Sequence, residues 1–164
     1  MKTLLTIIAL IFSYNITFAQ NEWFEVYGDT LSLNNASEEL TKDFQKQISK
    51  IDTTISLNRP KTLFNPMGPF FNSKNNTINL PIWDLAPEMF QGFCTVVMGS
   101  EDEGKELFGL FFNGFYVPHE LGHALQFATD KRFDNEYDNE YNANIIGLLY
   151  WKNKGKKAEL EKCY

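Results

Sequence analysis

The chain has 164 residues, 43% of them hydrophobic and 22% charged, the balance of one globular domain with a single core rather than of a disordered tail or a pair of domains. No internal repeat is visible, which excludes solenoids and propellers. Fifteen Lys and Arg stand against 21 Asp and Glu, for a formal net charge of −6; the broad cationic footprint that grips phosphate backbones is missing, and no nucleic acid partner is expected.

The N-terminus differs from the rest. Lys2 is the lone charge of the first twenty residues, an apolar run follows from Leu4 to Phe12, and a more polar stretch ends in Thr17-Phe18-Ala19-Gln20. This is the anatomy of a signal peptide. Residues 1–19 are therefore expected to be removed on export, leaving a domain over 20–164 that starts at Gln20 or Asn21 and is periplasmic or secreted. The run is far short of the roughly 20 apolar residues that span a bilayer, so no stable membrane span is expected after cleavage. The chain has two cysteines, Cys94 and Cys163. An exported location permits a bridge between them, and two unpaired thiols with Cys94 buried are the alternative.

Trp23–Tyr27 reads as a short strand. Asn35 stands three residues before Glu38 in capping-box spacing, and Leu40, Phe44, Ile48, Ile51 and Ile55 recur at helical intervals, which predicts an amphipathic helix over 36–51. Arg59-Pro60 and the turn residues Asn65-Pro66-Met67-Gly68-Pro69 predict irregular structure over 58–75. Thr77–Trp83 alternates apolar and polar residues and contains Pro81, the pattern of a strand at a sheet edge. Asp84 is placed to cap a helix from about Ala86 through Val97, which Gly99-Ser100 ends. Glu101-Asp102-Glu103 favours a further helix start through the dipole, leading into a stretch rich in Leu and Phe from Leu107 to Phe115. Pro118 cannot bond the Gly114 carbonyl, so a kink or break is expected before a helix over 117–129. A last helix starts near Asn135 and ends among lysines.

His119-Glu120-Leu121-Gly122-His123 is a HExxH motif that uses both histidines of the chain. Residues four apart on a helix share a face, so both imidazoles can reach one Zn²⁺. Glu120 falls on the adjacent face, within reach of a water at the metal, as a general base. Gly122 removes side-chain bulk beside the site. Two rival metal chemistries fail. A metzincin needs Gly and His where Gln126 and Thr129 stand, and a di-iron bundle needs a second Glu-x-x-His unit. A third zinc ligand must then come from elsewhere, and a carboxylate in Asp134–Asn144 is the choice the residues leave, with Glu136, Glu140 and the aspartates all open. Asp-x-x-Tyr at Asp134–Tyr137 and Asp138–Tyr141 is similar to the aspzincin pattern but lacks its flanking glycines. Tyr137 and Tyr141 read as packing or surface residues, with an oxyanion role as the alternative.

With HELGH followed by Glu140-Tyr141-Asn142-Ala143-Asn144, the chain resembles the gluzincin metallopeptidases, and more closely short bacterial metallopeptidase-like families that carry HELGH and then Glu-x-x-Ala-Asp. The resemblance runs from the Asn75–Trp83 strand to about Trp151 and departs at Asn144, where the families have Asp. It implies Glu140 as third ligand, Ala143 as the small residue that lets two helices approach, and Asn144 as an uncharged hydrogen-bond partner behind a histidine. It also implies that the strand holds an extended peptide by backbone pairing.

The expectation is an α+β, zincin-like domain with a small sheet, a HExxH helix and a following ligand-bearing helix. Its metal ligands are His119, His123 and Glu140, its base Glu120, its cofactor Zn²⁺ and its substrate a peptide or protein. The alternative is a non-catalytic zinc-binding domain acting through a protein partner. With so short a chain after Glu140, the cleft is expected to be open.

Overall fold

The computed structural model describes residues 26–163. The expected leader and residues 23–25 lie outside them, and Val26 and Tyr27 are not in a strand. The fold is α+β: helices around a small mixed sheet of three strands. Among the described residues no helix is long and apolar enough to cross a membrane.

Helix α1 spans Thr30–Ile51 and starts earlier than the Asn35 box predicts. Asp29 is the cap, because its carboxylate accepts both the Ser32 N–H and the Ser32 hydroxyl at 2.8 Å and so satisfies a donor of the first turn. Its buried stripe is Leu33, Leu40 and Phe44, with Ile51 exposed at the end.

The stretch expected to be irregular contains two strands, β1 at Lys61–Phe64 and β2 at Phe70–Asn72. The third, β3, is Thr77–Leu80, and it is central rather than at the edge. It pairs in parallel with β1, Lys61 opposite Thr77, and antiparallel with β2, Phe71 opposite Ile78. The alternation that predicted an edge has another cause. Ile78 and Leu80 enter the core, while Thr77 and Asn79 are also buried and spend their polarity internally. The Thr77 hydroxyl donates to the Asn75 side chain at 2.8 Å, and Asn79 Nδ2 donates to the Phe70 carbonyl at 3.4 Å. Pro81 falls just past the last paired residue, where it removes no ladder bond. The true edge beside the site is β2.

Asp84 lies in a short 3₁₀ turn, Trp83–Leu85, and does not cap the next helix. That helix, α2, is Glu88–Met98 with Pro87 at its N-cap and left-handed Gly99 ending it. Helix α3, Glu101–Phe108, is capped by Ser100. The two helices pack mainly against each other, over a small second core of Trp83, Ala86, Cys94 and Phe108. The chain then runs through a π-helical segment, Gly109–Phe115, directly into α4, Tyr116–Thr129. No break occurs at Pro118. The wider turn comes before it, and the Gly114 carbonyl that Pro118 cannot use accepts the Trp151 indole N–H at 3.3 Å. The same segment turns Asn113 fully inward, where its Nδ2 donates to the Pro81 carbonyl at 2.8 Å.

Helix α5, Glu136–Asn153, starts where expected, with Asn135 as its cap, and a short α6 follows at Lys157–Lys162. Tyr150 on α5 donates to Asp43 of α1 at 2.9 Å, which fixes one helix against the other. The main core joins Leu33 and Phe44 of α1, Ile78 and Leu80 of β3, Val117 and Leu121 of α4, and Trp151 of α5. Cys94 and Cys163 are free, Cys94 in the second core and Cys163 against the main one.

Candidate metal centre

The site is built where α4 crosses α5 under the edge of β2. Close approach requires small residues at the crossing. A Cβ on Gly122 would lie 3.1 Å from the Ala143 Cα, and one on Gly147 would lie 3.3 Å from the His119 nitrogen. Glu140, Ala143, Asn144 and Gly147 are spaced three, four and seven residues apart and so share the face of α5 turned to α4. The carboxylate therefore arrives beside the histidines because the residues one and two turns later are small.

His119 and Glu120 are buried, and His123 partly so. The Glu140 carboxylate spans both rings, with Oε2 3.3 Å from His119 Nε2 and Oε1 3.2 Å from His123 Nε2. His119, His123 and Glu140 form a group whose ligand atoms all lie within 4.8 Å of one another, and it could hold a metal ion. Ligands at tetrahedral angles with bonds of about 2.0–2.2 Å would stand about 3.3 Å apart; the carboxylate stands at that separation from each imidazole through a different oxygen, and the group, spread within 4.8 Å, would draw together on an ion.

The far nitrogens of the rings set the tautomer. His119 Nδ1 lies 3.0 Å from Asn144 Oδ1, and His123 Nδ1 lies 3.1 Å from Gln126 Oε1. An amide oxygen only accepts, so each Nδ1 can donate to it, the arrangement that leaves Nε2 as the ring atom available to a metal. Burial, then the neighbouring His123, pull His119 down to about 4, against the Asn144 hydrogen bond that favours its charged form. A neutral His119 leaves an acceptor nitrogen facing an acceptor oxygen, an arrangement that a cation between them relieves.

Glu120 is separate from this group, its Oε1 3.9 Å from His119 Nε2. Burial raises its carboxyl to about 8, the Phe71 backbone N–H of β2 opposes the rise and the Glu140 charge adds to it. A dication nearby would restore the carboxylate form. Glu120 and the three possible ligands line a cleft of about 280 Å³ with Phe70 and Phe71 of β2 and Tyr116 and Phe127 of α4.

The structure thus brings together His119, Glu120, His123 and Glu140. Glu136, one turn earlier, is exposed and outside the group. Tyr137 and Tyr141 stack on each other at 6.2 Å on the outside of α5 and do not line this cleft. Two residues of the site escape a reading of the sequence. Tyr116, three residues before His119, sets its ring edge against that histidine at 4.9 Å. Its hydroxyl is held protonated by burial and by the charges of Glu120 and Glu140. Gln126, three after His123, also donates to the Asn139 carbonyl at 2.9 Å, so it ties α4 to the first turns of α5 while steadying the ring. Helical spacing from the two histidines is the signal that marks both. No protein-family model, curated protein or solved structure matches the chain.

Proposed function

We propose that this protein is an exported zinc-dependent metallopeptidase of zincin-like fold, with His119, His123 and Glu140 as zinc ligands and Glu120 as general base. The observation that carries the reading is the convergence of His119, His123 and Glu140, each imidazole backed by a side-chain amide, beside a buried carboxylate outside that group. A structural metal site has no use for that fourth group.

Zinc held by His119, His123 and Glu140 would supply Lewis acidity toward a water and the peptide carbonyl. Glu120 would take a proton from the attacking water as its oxygen bonds to the carbonyl carbon, and would return it to the leaving amine as the C–N bond breaks. Phe71 N–H holds the Glu120 carboxylate in the cleft wall, and Tyr116 offers a protonated hydroxyl to charge developing on the carbonyl oxygen. Among the described residues β2 is an edge strand and lines the cleft, so it suits an extended peptide laid along it, the role the resemblance implies for Thr77–Trp83.

Glu120→Gln should bind zinc like the wild type and lose hydrolysis by at least about 10²-fold, because the amide keeps the shape and cannot take a proton. His119→Ala should lose the metal itself. Metal content and cleavage of a mixed peptide library measure both. Zinc bound by wild type and Glu120→Gln, no cleavage by either and capture of one protein partner by both would favour the non-catalytic binding domain.

A further inference from the structure

We propose that the cavity behind Tyr116 receives a bulky, uncharged apolar side chain of the substrate, so that the enzyme selects peptides carrying a residue such as Phe, Leu or Met next to the cleaved bond. This rests on the peptidase reading of the neighbouring cleft.

The cavity has a volume of about 430 Å³ and lies between the π-helical segment and α5. Tyr116 lines both it and the metal cleft, so a single ring separates the two. Asn144 also serves both, lining the cavity and meeting His119 Nδ1. A chain in the cleft therefore has a second depression within one side chain of the ligand group. Its walls are Phe111 and Phe115 on one side and Ile145 and Leu148 on the other, with Tyr141 and Cys163 completing the lining. Tyr116 is held in place by Phe111 at 5.3 Å and Phe115 at 6.0 Å, ring to ring, so the wall keeps its shape. No charged side chain lines the cavity. Asp, Glu, Lys or Arg entering it would lose hydration with no opposite charge to meet, whereas an apolar side chain gains by leaving water. The metal cleft has aromatic walls too, but it carries the ionisable groups and has less volume. The division of labour follows: the cleft holds the peptide bond and the cavity reads a side chain.

The test uses full-length mature protein and a set of octapeptides identical except at one position on either side of the bond cut. Wild type should favour Phe, Leu or Met over Gly, Asp and Lys there by about 10- to 100-fold in kcat/KM. Leu148→Trp fills the cavity from α5 and should erase that preference, so that the Phe peptide is cut no faster than the Gly peptide. Ile145→Phe does the same from one turn earlier if the first variant fails to fold, with circular dichroism and zinc content as controls. A parallel arm measures fluorescence anisotropy of the labelled Phe and Gly peptides on Glu120→Gln, alone and combined with Leu148→Trp. Cleavage with no side-chain preference, or a preference that survives both cavity variants, overturns the cavity and leaves the peptidase standing. Absence of cleavage together with tighter binding of the Phe peptide, lost in Leu148→Trp, keeps the cavity and overturns the peptidase. Neither cleavage nor selective binding overturns both.

Discussion

Glu136 and Glu140 are one helical turn apart in nearly identical local sequence, and only Glu140 faces the histidines. Loss of a direct ligand must cost more than loss of a partner behind it. Zinc titration should show Glu140→Ala weakened by more than about 100-fold and Asn144→Ala by about 10- to 100-fold, with Glu136→Ala unchanged. Metal loss in Glu136→Ala with retention in Glu140→Ala would reverse the assignment. Protons give a second test on metal-stripped protein. Glu120 is raised to about 8 from 4.5, so the native state keeps a proton the unfolded chain has released, and the stability this gives fades as pH rises through 8. His119, lowered to about 4 from 6.5, acts in the other sense, contributing above 6.5 and losing that contribution toward 4. Above pH 6.5 only Glu120 still titrates of the two, so urea midpoints should fall between pH 6.5 and 8.5. Glu120→Gln should flatten that slope; an equal slope in both proteins would show that Glu120 is not its source.

Helices α4 and α5 meet through Gly122, Ala143 and Gly147, and the site depends on that contact more than on any loop. Gly147→Val adds branches against the His119 backbone and should push the helices apart, weakening zinc at least about tenfold while circular dichroism stays helical. Retained affinity would mean that the crossing can shift without moving the carboxylate. The ligand-bearing helices were legible in the sequence because the helical period places His119 with His123, and because Asn135 signals the start of α5. The sheet was largely not. β1 and β2 have four and three residues, too short to show a period, and they exist through pairing with a β3 distant from one of them in sequence. β3 misled because Thr77 and Asn79 bond internally and so look like solvent-facing residues. The π-helical segment was hidden for a different reason: a run of Leu and Phe satisfies any helical period, and only the tertiary partners of Asn113 and Gly114 reveal which one is used.

At the largest scale, the described residues form two cores of unequal size. The larger binds α1, the sheet, α4 and α5, whereas the smaller sits under α2 and α3, with Met89, Phe93, Val96 and Val97 of α2 left exposed. Fewer buried contacts mean cheaper local opening. Amide hydrogen exchange should therefore show the 88–108 hairpin exchanging well before α4 and α5, and uniform protection would mean the two cores open as one. A single run of backbone from Glu101 to Thr129 links them, with Phe108 in the small core, Leu110 and Phe115 in the large one and the π-helical turn between. Each residue of an α-helix turns about 100° and advances about 1.5 Å. A one-codon deletion within Gly109–Phe115 would therefore rotate one core against the other and pull Asn113 and Gly114 away from Pro81 and Trp151. Descendants of this gene can exchange residues in that segment far more freely than they can change its length.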